Sequence, residues 1–128
     1  MRDGIKKKIL VIDDEEILTR TFTRLLEKVG YEVYAARNGQ DAIAMMEEEA
    51  FDLVVCDMRM PGINGVDTVK AIRASGSGKN MNLPVIFVTG FADEATVAQA
   101  QQLKPLAYLY KPFDSFEILK FIKESVGA

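Results

Sequence analysis

Residues 53–57 read LVVCD, four apolar residues followed by a carboxylate. A half-buried strand alternates apolar and polar residues, so an unbroken apolar run implies a strand covered on both faces, the usual condition of a parallel sheet. Residues 84–88, PVIFV, repeat the pattern, and proline is tolerated at a strand's first position. Residues 8–12, KILVI, form a third such run, which tips directly into DDEE at 13–16. Further strands are expected over 31–35 and 106–110.

The intervening segments have helical spacing. Over 15–29, Leu18, Phe22, Leu25 and Val29 form one apolar stripe, ended by Gly30. Asn38 can cap a helix over 39–49 with Ala42, Ile43 and Met46 inward. After a turn around Met60-Pro61-Gly62, Asn64 can start a helix through Val66, Val69, Ala71 and Ile72. Asp93 opens a helix to about Leu103, and Asp114 with Glu117 resembles a capping box for a last helix to Val126. SGSGKNMN at 75–82 reads as a surface loop, and no internal repeat is visible. Five strands alternating with five helices imply βαβ crossovers and a three-layer α/β sandwich.

Bulk properties narrow the function. The 128 residues suit one domain, with 48% apolar and 27% charged residues. A net charge of −3 disfavours nucleic-acid binding through bulk electrostatics. No apolar run approaches the roughly 20 residues a bilayer requires. The start, MRDGIKKKILVIDD, does not read as a signal peptide, because its apolar run is short and ends in acids. The single cysteine, Cys56, reads as a small buried hydrophobe and fits a reducing cytoplasm. With no histidine in the chain, histidine acid–base catalysis and histidine metal sites are excluded.

In an open parallel sheet the carboxyl ends of the strands share one edge, where ligands bind. Asp13-Asp14, Asp57, Thr89 and Lys111 stand just past four of the five apolar runs. Singly, each has an ordinary explanation: a helix cap for Asp14 or Thr89, a turn residue for Asp57, a solvated strand end for Lys111. Together they bring three carboxylates, a hydroxyl and an ammonium to one rim. Carboxylates so close repel by roughly 4 kcal/mol per pair at about 4 Å. Either one of them binds a proton or a cation neutralises the cluster. Oxygen-only ligands select a hard cation, and Mg²⁺ that keeps some of its waters fits better than an all-protein Ca²⁺ cage.

DDEE after the first strand, CDMRMPGINGVD after the third, VTG after the fourth and YLYKPF after the fifth resemble the receiver domain of two-component response regulators, from about Lys7 to the end. The resemblance implies a flavodoxin-like sheet of order 2-1-3-4-5, one receiver domain over 1–128, and signalling by aspartyl phosphorylation. Asp57 matches the phosphoacceptor. Asp14, Asp57 and the backbone carbonyl of Arg59 match Mg²⁺ ligands (Mn²⁺ is also accommodated), with Asp13 acting through water. Lys111 matches the lysine that pairs with the phosphoacceptor, Thr89 the switch hydroxyl, and Tyr108 the aromatic whose rotamer follows it. From the residue alone, Tyr108 reads as a half-buried strand tyrosine. Pro112 matches the family's cis-proline. Arg59 and Phe91 flank the path of an attacking water, where Phe91 can shield an acyl phosphate. Ile17 and Thr21 match a docking patch for a histidine kinase or histidine phosphotransfer protein.

One departure stands at 104–105, where Lys-Pro replaces the usual Gly-Ala before the fifth strand. Proline restricts Lys104 away from the helical region, so the fourth helix is expected to end before it. The α4-β5-α5 face is apolar, with Phe91, Leu103, Leu106 and Tyr110, and suits an output domain, another partner or a homodimer. A flavin carrier of the same fold would need a phosphate loop where DDEE stands. A phosphatase of the haloacid dehalogenase type would carry Asp-x-Asp on the first strand. A stand-alone or degenerate receiver acting as a protein-interaction module or phosphate sink is the remaining alternative. Direct DNA binding is not expected, nor is catalysis beyond the domain's own phosphorylation and dephosphorylation.

Overall fold

The computed structural model describes residues 6–60, 62–90 and 94–126. Five parallel strands, β1 (Lys8–Ile12), β2 (Glu32–Ala36), β3 (Leu53–Asp57), β4 (Val85–Thr89) and β5 (Ala107–Tyr110), form one sheet of order β2-β1-β3-β4-β5. The helices are α1 (Glu16–Val29), α2 (Gly39–Glu48), α3 (Gly65–Ala74), α4 (Glu94–Gln102) and α5 (Ser115–Val126), with a short 3₁₀ turn at Gly76–Gly78.

Alternating strand residues face opposite layers, as a period of two requires. Leu10, Ile12, Val54, Cys56, Val85 and Phe87 pack with Ala42 and Met46 of α2, Val66, Val69 and Ile72 of α3, and Ala100 of α4. Ile9, Val11, Leu53, Val55, Ile86 and Val88 pack on the other side with Phe22 and Leu26 of α1 and Ile118, Leu119 and Ile122 of α5. The central runs LVVCD and VIFVT are buried throughout.

Local chemistry sets the helix ends. The side chains of Asn38 and Asn64 each accept from the third residue on, Asp41 and Asp67, at 2.8 Å. Gly30 closes α1 in the left-handed region at φ 111°. The Asp114 carboxylate accepts from Phe116 N–H at 2.8 Å, a cap on the second helical residue where a capping box uses the third.

Two readings shift in the structure and a third holds. The α1 stripe is turned: Phe22 and Leu26 face the sheet, while Leu18, Leu25 and Val29 are half-buried. The cause is shared occupancy of this layer with α5, whose leading loop sets Phe113 edge-on against Phe22 at 6.0 Å. Strands β3 and β4 each run one residue past the apolar stretch, because Met58 N–H bonds Val88 O at 3.0 Å and Lys111 N–H bonds Thr89 O at 2.7 Å. Asp57 and Thr89 are therefore strand residues. Helix α4 stops at Gln102, short of Lys104, which takes φ 52° in the left-handed region. Pro61, Phe91 and Asp93, named above, lie outside the described residues.

Candidate functional site

The carboxyl edge of the sheet gathers the polar residues. Asp13, one residue past β1, and Asp57, the last residue of β3, are both only 4% exposed. Thr89 ends β4 and is fully buried, whereas Asp14 is exposed. Asp13, Asp14 and Asp57 can each offer one oxygen such that the three lie within 4.8 Å of one another.

Lys111 follows β5 and enters this group. Its Nζ lies 2.7 Å from Glu15 Oε1, 3.0 Å from Asp13 Oδ2 and 3.2 Å from Asp57 Oδ2. The other oxygen of Asp57 accepts from Arg59 N–H at 3.3 Å, and Asp13 Oδ1 accepts from Glu15 N–H at 2.9 Å. The Lys111–Pro112 peptide bond is cis.

Close packing places the end of β3. A Cβ on Gly65 would stand 2.4 Å from the Asp57 carbonyl oxygen and 2.9 Å from Met58 Cα, so only glycine lets α3 begin here. Gly65 N–H in turn bonds Met58 O at 3.0 Å. The end of β3 is thus held by α3 on one side and β4 on the other.

Burial raises the Asp57 carboxyl from an ordinary 3.8 to about 6; the field of Asp13 adds to the rise, and Lys111 and Arg59 N–H oppose it. For Lys111, burial works against the charged form, but hydrogen bonds to Glu15 and Asp13 and the charges of Asp13 and Asp57 outweigh it and raise its pKa. Burial likewise pushes the Cys56 thiol up, so it stays an inert neutral group beside the site. Four carboxylates, Asp13, Asp14, Glu15 and Asp57, against one ammonium leave the cluster negative. An oxygen-only donor set with an unneutralised charge fits a hard divalent cation.

The structure brings Asp13, Asp14, Asp57, Thr89 and Lys111 to one edge, with the Arg59 backbone beside Asp57. Tyr108 is half-buried on β5, its ring tilted against Phe87 at 6.3 Å and Tyr110 at 5.5 Å. Ile17 and Thr21 lie on the exposed side of α1, Ile17 at 81% exposure. Phe91 lies outside the described residues. Sequence reasoning missed Glu15, which reads as a first-turn acid favoured by the helix dipole but is the nearest carboxylate to Lys111.

A doubly wound α/β sheet with a buried carboxylate, flanking acids and one lysine at its carboxyl edge defines a class: an α/β protein with an acidic, cation-ready pocket. The family model described as response regulator receiver domain matches residues 9–123. The chain belongs to that family. It is 35% identical over 119 residues to the transcriptional regulatory protein CrdR of Helicobacter pylori, covering 93% of this chain and 54% of that one. It is 29% identical over 120 residues to the sporulation initiation phosphotransferase F of Bacillus subtilis, covering 94% of both. A response regulator receiver domain protein (CheY-like) from Methanospirillum hungatei superposes with a TM-score of 0.87 at 28% identity, over 95% of this chain and 94% of that one. The chain thus spans about half the length of CrdR, and nearly all of the sporulation protein. Among the described residues no helix is long and apolar enough to cross a membrane.

Proposed function

We propose that the chain acts as one receiver domain whose phosphoacceptor is Asp57. The observation that carries this reading is the placement of a buried carboxylate at the end of β3, with Lys111 Nζ 3.2 Å from one of its oxygens and Arg59 N–H on the other. An Asp57 oxygen attacks the phosphorus of a phosphodonor in line. A carboxyl O–P bond forms, the donor's P–N or P–O bond breaks, and the leaving group departs with the electron pair. Lys111 moves from the Asp57 carboxylate to a phosphoryl oxygen. Thr89, at the end of the adjacent strand, donates its hydroxyl to another. Asp14, Asp57 and the Arg59 carbonyl are suited to hold Mg²⁺ or Mn²⁺, with Asp13 through a water. Such an ion supplies charge compensation for the carboxylate and the incoming phosphoryl oxygens.

The phosphodonor is a histidine kinase or histidine phosphotransfer protein in the cytoplasm; with no histidine in this chain, the phosphohistidine lies on another protein or on a segment beyond this one. Ile17 and Thr21 belong to its docking patch. Tyr108 follows Thr89 and remodels the α4-β5-α5 face, where Leu106 and Tyr110 are exposed. That face contacts an output domain or a second copy. The phosphorylated and unphosphorylated states must differ in their interactions with the phosphoryl group by a few kcal/mol for any switch to occur.

Incubation with Mg²⁺ and acetyl phosphate, followed by intact mass measurement, tests the assignment. The expected gain is one phosphoryl group, absent in Asp57→Asn. A gain that survives in the variant places the acceptor elsewhere, and no gain in the wild type supports the degenerate-receiver reading.

A further inference from the structure

The ammonium of Lys111 donates to Glu15 at 2.7 Å and to Asp57 at 3.2 Å and lies 3.0 Å from Asp13, so three carboxylates hold it in place. Phosphorylation of Asp57 hands its contact to a phosphoryl oxygen, and the ammonium must shift to follow it against the two contacts that remain. These two are not equivalent. The side chain of Asp13 is 4% exposed, so leaving it unpaired is costly. The Glu15 side chain is 61% exposed, and water can replace its partner. Glu15 is also held in place for this contact. Asp13 Oδ1 accepts its backbone N–H at 2.9 Å, and its backbone is extended at φ −84°, ψ 99°. Although it stands at the cap position of α1, its carboxylate makes no capping hydrogen bond. The side chain therefore serves Lys111 and not the helix.

We infer that Glu15 is a positioning residue: its carboxylate is the exchangeable partner of Lys111 and competes with the phosphoryl group for the ammonium. This rests on the reading of Asp57 as phosphoacceptor. Removing the charge of Glu15 makes the transfer of Lys111 easier, and the phosphorylated form gains. Glu16, the next residue, carries the same charge but pairs with Arg20 at 2.9 Å and provides the control.

The test is a titration of the full chain with beryllofluoride, a phosphoryl mimic, at saturating Mg²⁺. It is followed by the backbone amide shifts of Thr89 and Lys111 in wild type, Glu15→Gln, Glu16→Gln and Asp57→Asn. An exposed ion pair is worth enough to tighten binding to Glu15→Gln about two- to fivefold at low salt. The gain should fall away in 1 M NaCl, where the screening length is about 3 Å. A purely structural effect at the start of the helix has no reason to vanish with salt. Wild-type affinity in Glu15→Gln, a gain that persists in high salt, or an equal gain in Glu16→Gln each overturns the competition. Failure of the wild type to bind, or binding that survives in Asp57→Asn, overturns the acceptor assignment and the inference with it.

Discussion

Asp57→Asn should stabilise the metal-free protein. The carboxyl of Asp57 titrates near 6 in the folded chain against an ordinary 3.8, chiefly because it is buried and then because Asp13 stands beside it. A difference of about 2 units corresponds to about 3 kcal/mol. The sign follows from linkage. Below about pH 4 the group is protonated in both folded and unfolded chains, and its contribution to stability is fully present. As pH rises through 6, the unfolded chain ionises first and the folded chain must then bury a charge, so stability is lost. Asparagine has the same shape, never ionises, and keeps an oxygen for Arg59 N–H. It loses the ion pair with Lys111, but Lys111 retains Asp13 and Glu15. The net gain at pH 7.5 is therefore about 1–3 kcal/mol, or about 3–10 °C in melting temperature for a chain of this size. Thermal melts followed by circular dichroism in EDTA, at pH 7.5 and near pH 4, measure it. The gap between variant and wild type should narrow toward zero at the lower pH, and Mg²⁺ at pH 7.5 should stabilise the wild type alone. A variant no more stable than wild type at pH 7.5, or a gap independent of pH, refutes the argument that a buried charge at Asp57 destabilises the fold.

Gly65→Ala places a Cβ 2.4 Å from the Asp57 carbonyl oxygen; it should cost about 1–3 kcal/mol in urea denaturation and slow acetyl phosphate labelling, because the overpacked end of β3 must shift. Arg73 on α3 donates Nη1 to Leu103 O at the end of α4 and Nη2 to Leu83 O before β4, at 3.1 Å for the latter. Arg73→Met should therefore cost about 1–3 kcal/mol and speed amide hydrogen exchange at 100–104, measured by mass spectrometry. Lys104 sits at φ 52°, a region where a side chain is strained, so Lys104→Gly should raise stability by about 0.5–1 kcal/mol and Lys104→Val should lower it.

Much of the fold was legible in short patterns. Runs such as VIFV announce burial on both faces, and the capping asparagines announce helix starts, because both signals depend on neighbours within a few residues. The carboxyl edge followed from the same reading, since a parallel sheet sends the residue after each apolar run to one side. The rotation of α1 was not legible. Leu26 and Leu25 are equally apolar, and only the docking of α5 with Phe113 against Phe22 decides which one faces the sheet. The stop of α4 was readable from Pro105, yet the Arg73 anchor that holds its end joins residues 30 positions apart.

The sequence by itself determined the order of elements, the parallel sheet and the set of groups at its rim. Tertiary structure alone decided how those groups pair. Within DDEE, Glu15 is more than a helix-start acid, because it reaches across 96 positions to Lys111 and shares it with Asp13 and Asp57. Periodicity encodes the direction in which each side chain leaves its own element. The distance between side chains on different elements is set by strand register and helix docking, and at this rim those distances determine which acid holds the lysine.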